Sequence, residues 1–291
     1  MKKVILITGS SSNLGTQLAK KYIDEKCVTY GIAKDTQNLP GLHYVPCDIT
    51  NFDNCKVVVE KIIREEGQID ILINNASVNL NISPVEYYTK KEIREFFDVN
   101  LLGTINIIKA VLPYMREKRK GKIVNISSVY SPMGIPYQTL FAANKAAIDS
   151  LSSGLRMELK DFGISVITAH AKMINFHENG NFMVKEDDDY FTTYKHAHKL
   201  MIAENKKQVN PKRIARAIYN ATKKGHPPAK IYVGVKNSMS RIFLSLIPRK
   251  VREKYVRNKY FKNRDNEEKI KKTIEEINTK NKGEVKDMTD K

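Results

Sequence analysis

The chain has 291 residues, of which 41% are hydrophobic and 28% charged, enough for one large α/β domain or two small ones of ordinary soluble composition. No uninterrupted apolar run reaches the roughly 18 residues a membrane span needs, and Cys27, Cys47 and Cys55 have no metal-ligand spacing, which implies reduced thiols and a cytoplasmic location. Lys and Arg number 50 against 32 Asp and Glu, a net charge of +18 that favours an anionic partner.

The start, MKKVILITGSSS, has too short an apolar run for a leader and reads as a first strand, Val4–Thr8. Further strand-length apolar bursts follow at Val28–Ile32, His43–Val45, Ile69–Ile73, Lys122–Ile126, Ile164–Ala169 and Ile231–Val235. Between them, apolar residues recur at helical steps over Leu14–Glu25, Phe52–Glu66, Lys91–Arg116, Phe141–Phe162 and Pro211–Lys224. Continuous apolar strands separated by helices predict a Rossmann-type doubly wound parallel sheet with helices on both faces. This α/β domain spans residues 1–235, with a lid at about 175–206. A basic amphipathic helical extension over 236–264 and a charged, partly disordered tail over 265–291 complete the expected organisation.

After the first strand, Gly9, Ser10, Ser11, Ser12, Asn13, Leu14 and Gly15 lead into a helix. A helix N-terminus at the carboxyl end of a parallel sheet offers free N–H groups and a favourable dipole to a phosphate. Gly9 permits the tight turn, Gly15 close helix–strand packing, and the hydroxyls, Ser11 among them, add donors; the strict G-x-G-x-x-G pattern is not met.

Asp48 in PCDIT, Asn74–Asn75–Ala76 after the fourth strand, Asn100 in FFDVN, Ser127–Ser128 ending the fifth strand, and Lys145 complete a set of motifs. In order and spacing this set resembles the short-chain dehydrogenase/reductase family over about Lys3 to Val235. The resemblance implies hydride transfer between a nicotinamide cofactor and a small carbonyl or alcohol substrate, in a homo-oligomer. It puts Gly9, Asn13, Leu14 and Gly15 around the pyrophosphate, Asp48 and Ile49 at the adenine, Asn75 and Ala76 at the ribose, and a backbone contact from Ile174 at the nicotinamide. Asn100, Ser128 and Lys145 match the catalytic group. By their chemistry, Ser128 binds a carbonyl oxygen, Lys145 binds ribose and acidifies a neighbour, and Asn100 anchors a relay water. Where the second strand ends, Ala33–Lys34 stands in place of an acid, so a cation favours NADP(H) over NAD(H).

The family's catalytic tyrosine falls on position 141, which is phenylalanine, and the ring cannot give a proton. Ser77 and the pair Ala171–Lys172 also depart from the pattern. Three readings follow: a reductase with another acid (Tyr137 or Tyr130), a catalytically silent nucleotide-binding partner subunit, or chemistry that needs no acid here. In the lid, Phe176, Phe182, Tyr190, Phe191 and Tyr194 are pocket or core candidates, and His177, His196 and His198 read as solvated rather than metal-binding. In the extension, Val251, Tyr255 and Val256 share a face among Arg249, Lys250, Arg252, Lys254 and Arg257, following the apolar run Ile242–Ile247. That suits either a packed helix or one lying on an anionic membrane surface; no nucleic-acid-binding fold appears.

Overall fold

The computed structural model describes residues 2–129, 131, 133–171, 184–206, 208–234, 248 and 250–261. Among the described residues, seven strands form one sheet: β1 Val4–Thr8, β2 Val28–Ala33, β3 Leu42–Pro46, β4 Ile71–Asn74, β5 Gly121–Ser128, β6 Ile164–Ala171 and β7 Lys230–Val233. All pairings are parallel, in the order β3-β2-β1-β4-β5-β6-β7. Strand order reverses between β1 and β4, so their carboxyl ends diverge there and open a crevice for a ligand.

β1 shows why the strands read as unbroken apolar runs. Val4 and Leu6 point into one core, with Cys55, Val59 and Ile62 of α2 (Phe52–Glu66) and Ile107 and Val111 of α4 (Thr104–Glu117). Ile5 and Ile7 point into the other, with Leu14, Leu18 and Tyr22 of α1 (Asn13–Asp24) and Ile214 and Ile218 of α7 (Pro211–Lys223). Both faces are covered, so both side-chain sets must be apolar.

The predicted helix Lys91–Arg116 is not continuous. It divides into α3 (Lys90–Phe97), a π-helical turn at Asp98–Gly103, and α4. A Cβ on Gly103 would stand 2.7 Å from Ile49 Cδ1, so the turn is pressed onto the segment after β3. Taken together, Lys90–Glu117 is long and apolar enough to cross a membrane, which corrects the expectation from composition. Its Ile107, Ile108, Val111 and Met115 nevertheless belong to the core beneath the sheet.

The lid contains a helix, α6 (Phe191–Asn205), that follows α5 (Thr139–Glu158) in the chain. Its Tyr194, Ala197 and Met201 pack with Ile82, Ile135, Tyr137 and Ala142 in a third cluster. Residues 250–261 form a further helix, α8, whose Val256 and Tyr260 belong to that cluster, while Lys259 pairs with Glu204 of α6. Val251 and Tyr255 face outward, 54% and 64% exposed, so the expected common face with Val256 is corrected. Phe176, Phe182, His177, Ile242–Ile247 and the tail lie outside the described residues.

Candidate active site

At the end of β1 the chain turns at Gly9, φ +63°, whose N–H donates to Ile32 O at 2.8 Å. A Cβ there would come within 2.6 Å of Ala76 Cα, and one on Gly15 within 2.2 Å of Gly9 O. Both positions therefore need glycine. Ser12 caps α1, its Oγ accepting the Gly15 N–H at 3.0 Å. Asn75 laces β4 to this turn, its Nδ2 donating to Thr8 O, Gly9 O and Ser12 Oγ at 3.1, 2.9 and 3.1 Å. The N–H groups of Asn75 and Ala76 both reach Thr8 Oγ1, at 3.0 and 2.9 Å. Ser11, Ser12 and Asn13 remain exposed at the start of a helix with no acid in its first turn. The close backbone approach and the uncancelled dipole fit a dinucleotide's pyrophosphate. Leu14 is mainly core, though it also borders the cleft.

Beyond β2, Lys34 Nζ meets Asp48 Oδ2 at 2.8 Å. The register Ala33↔Pro46 brings the two strand ends side by side. Burial raises the Asp48 pKa, but Lys34 and the Thr50 N–H and hydroxyl outweigh it and hold the carboxyl below its ordinary value. The cation read as free for a 2′-phosphate is thus shared with the adjacent carboxylate. Ile49 is buried, and its carbonyl accepts from Asn106 Nδ2 at 3.0 Å. A basin of about 560 Å³ lies here, lined by Lys34, Thr50, Val78 and Asn79.

Asn79 also borders a second cleft of about 240 Å³, at the ends of β4 and β5, where Ser128, Asn100, Phe141 and Lys145 come together. Asn100 lies buried in the π turn. Its Oδ1 accepts the Val78 N–H at 2.8 Å and its Nδ2 donates to Val78 O at 2.9 Å. The amide thus pins the strand-to-loop segment after β4. Lys145 is half-buried, and its Nζ donates to Ile126 O at 3.1 Å. Loss of hydration pulls its pKa down to about 8, with Asp149 one helical turn on opposing the shift. The Phe141 ring, 7% exposed, has its centroid 5.8 Å from Lys145 Nζ.

Ser128 is buried at the tip of β5, and its carbonyl faces His170 Nδ1 at 3.1 Å. A carbonyl only accepts, so Nδ1 carries the ring proton. His170 stacks on Tyr232 and stands 3.8 Å from Asp149, which Ser131 Oγ bonds at 2.6 Å.

Tyr137, one of the two candidate acids, is turned away. It lies before α5 at φ +60°, its hydroxyl bonded to Thr193 Oγ1 at 2.5 Å and its ring edge-on to Tyr190 and Tyr194. Tyr130, Lys172 and Ile174 lie outside the described residues. His198 packs obliquely on Tyr194, and burial lowers its pKa, so it is not the solvated residue expected.

Several contributors escaped the sequence reading. Thr8 has a usable signal, the hydroxyl directly before the turn glycine. Asn125 joins Asn74 at 2.7 Å to Ser152 at 2.8 Å, tying β4 and β5 to α5 beneath the cleft. Asn74 Oδ1 is buried without a protein partner, an acceptor available to a ligand hydroxyl. Gln208, after α6, and Pro211, at the start of α7, border the cleft, and nothing in their local sequence marks them.

Comparison with known proteins agrees with this geometry. A family model described as short chain dehydrogenase matches residues 3–181. The 3-ketodihydrosphingosine reductase of Bacteroides thetaiotaomicron is 34% identical over 237 residues, 80% of this chain and 88% of that protein. The 3-oxoacyl-[acyl-carrier-protein] reductase FabG of Thermotoga maritima is 34% identical over 176 residues, 56% of this chain and 71% of that protein. Among solved structures, a short-chain dehydrogenase from Streptomyces avermitilis matches 91% of this chain and 98% of its own at TM-score 0.73 and 24% identity. ElxO with NADP bound matches 80% and 97% at TM-score 0.66 and 21% identity.

Proposed function

The chain belongs to the short-chain dehydrogenase family of oxidoreductases, and from that premise we propose that it is an NADPH-dependent reductase of a long-chain amino ketone, slowed by Phe141. The observation that carries the reading is the cleft itself. Ser128 and Lys145 line one cavity at the carboxyl end of the sheet, next to a tight glycine turn that leads into the N-terminus of α1, which has no acid in its first turn. The Gly9–Gly15 turn, Asn75, Ala76, Asp48 and Lys145 would hold the dinucleotide, and Lys34 would meet its 2′-phosphate by exchanging its Asp48 partner. A reduced nicotinamide supplies the hydride. The Ser128 hydroxyl donates to the substrate carbonyl oxygen, and Asn100, through Val78, fixes the loop that closes the cleft.

The substrate class is supported by the 34% identical relative, whose name specifies 3-ketodihydrosphingosine. A long-chain substrate suits a protein peripheral to an anionic membrane, and the exposed Val251 and Tyr255 beside Lys250 and Lys254 support that placement. The test is NADPH oxidation by purified protein with a long-chain 2-amino-3-ketone and with a β-ketoacyl thioester. Turnover of the first alone is expected. Tight NADPH binding without turnover of any carbonyl would favour the second reading, a silent nucleotide-binding partner subunit, for which Phe141 is the specific argument.

A further inference from the structure

Carbonyl reduction needs a proton at oxygen as hydride reaches carbon, and position 141 has none to give. The cleft narrows the alternatives. Its described lining is made of serines, asparagines, Thr104, Gln208 and apolar residues, and Lys145 is the one side chain among them that titrates in the working range. Tyr137 is committed to Thr193 in a different cluster. Lys145 spends one N–H on Ile126 O, and an ammonium group has three, so two remain for the cavity. With no phenol between it and the substrate, the ammonium is the nearest described acid to Ser128's partner oxygen.

We propose that Lys145 is itself the general acid of this chain, giving its proton to the substrate carbonyl oxygen directly or through one water. The proposal rests on the reductase reading above. As the carbonyl carbon accepts hydride from the reduced nicotinamide dinucleotide, the C=O π pair moves to oxygen. One N–H bond of Lys145 breaks, and its proton forms the O–H bond. The products are an alcohol, the oxidised dinucleotide and a neutral amine, which regains a proton from water. Burial brings the Lys145 pKa down to about 8, where a lysine can give and regain a proton near neutrality. The charged and titratable groups behind it are Asp149, Arg156 farther along α5, and His170 of β6 across Asp149.

The sign follows directly. The acid works only when protonated, so reduction is fast below pH 8 and falls as pH rises through that value, while alcohol oxidation rises there. The experiment uses the full chain in two arms. In the first, 15N-lysine-labelled protein without substrate is titrated by NMR, and one lysine resonance is expected to titrate near 8 and vanish in Lys145→Met. In the second, single-turnover reduction at saturating NADPH is followed between about pH 6 and 10 in wild type, Lys145→Arg, Tyr130→Phe and Phe141→Tyr, with NADPH affinity measured separately. Lys145→Arg keeps a cation that holds its proton too firmly, so it should bind NADPH yet lose on the order of 10²-fold in rate. Tyr130→Phe should change nothing.

A pH-independent wild-type rate, an active Lys145→Arg, or a rate lost in Tyr130→Phe would each overturn Lys145 as the acid while leaving the reductase reading intact; turnover in Phe141→Tyr with none in wild type would overturn both in favour of the silent partner subunit. NADPH binding with no turnover in either wild type or Phe141→Tyr would overturn the reductase reading itself, and the acid with it.

Discussion

Phe141→Tyr places a phenol in a site built around a lysine, and the structure sets what that phenol should do. Taking the 5.8 Å between ring centroid and Lys145 Nζ as the charge separation, Coulomb attraction at an effective dielectric of about 20 is worth about 3 kcal/mol. That is about two pKa units. Burial at this position works against it, and the attraction acts only while the neighbour keeps its proton, so the shift shows in a pair of double variants: the phenol of Phe141→Tyr/Lys145→Arg, where the charge persists, should titrate up to about two units below that of Phe141→Tyr/Lys145→Met. A positioned acid contributes about 10²–10⁴-fold. With Lys145 already donating, the gain in carbonyl reduction should lie at the low end, on the order of 10²-fold or about 3 kcal/mol of barrier. Tyrosinate absorbance against pH gives the first quantity, and single-turnover NADPH oxidation gives the second. Phenols titrating alike in the two double variants, together with an unchanged rate in Phe141→Tyr, would show that position 141 is not electrostatically joined to position 145, and the reasoning would fail.

Cofactor selectivity should depend on the Lys34–Asp48 pair. Lys34→Ala is expected to weaken NADPH several-fold, about 1 kcal/mol for so exposed a charge, and to leave NADH unchanged. Asp48→Asn frees the lysine and should tighten NADPH relative to NADH, as fluorescence titration would report. Gly9→Ala forces a Cβ against Ala76 at positive φ, costs about 1–3 kcal/mol, and should lower both Tm and cofactor affinity. The intact protein should co-sediment with anionic vesicles at low salt and dissociate as salt rises. Val251→Asp/Tyr255→Asp should weaken that binding without changing Tm, because both side chains are exposed; unaltered binding would rule out this face as the contact. Light scattering should give a mass above the 33.3 kDa monomer if the chain assembles with itself.

What the sequence made legible is what periodicity and fixed counts control. The strands were readable because both faces of the sheet are covered, which makes each an apolar run. Their ends were less readable: Ala33, Leu42, Pro46, Asn74, Gly121, Ser127–Ser128, His170–Ala171 and Lys230 lie beyond the predicted bursts. Position 141 was readable because α5 begins at Thr139, so Phe141 and Lys145 are true helical neighbours one turn apart. The same argument failed for Tyr137. It stands before the helix at positive φ, where helical spacing has no meaning, and the left-handed turn sends its ring into the lid. The break at Asp98–Gly103 was hidden for another reason. The apolar stripe runs through it, while its cause is tertiary: Gly103 pressed on Ile49 and Asn100 bonded to Val78. α6 gave no stripe because its buried face mixes Thr193 and His198 with Tyr194, Ala197 and Met201.

These failures share a consequence for the chemistry. Lys34, Asn100 and Tyr137 were each assigned a free functional group from sequence, and each has that group engaged by a partner distant in the chain: Asp48, Val78 and Thr193. Lys145 differs, because its hydrogen-bond partner among the described residues is a backbone carbonyl, which leaves it donors and a proton to spare. A phenylalanine one turn away would normally end an argument for catalysis. Here it removes the group that would stand between the lysine and the substrate oxygen. If the chain turns over a carbonyl at all, the pH at which reduction fails should therefore follow the lysine, near 8, and should cease to follow it once Phe141→Tyr supplies a competing acid.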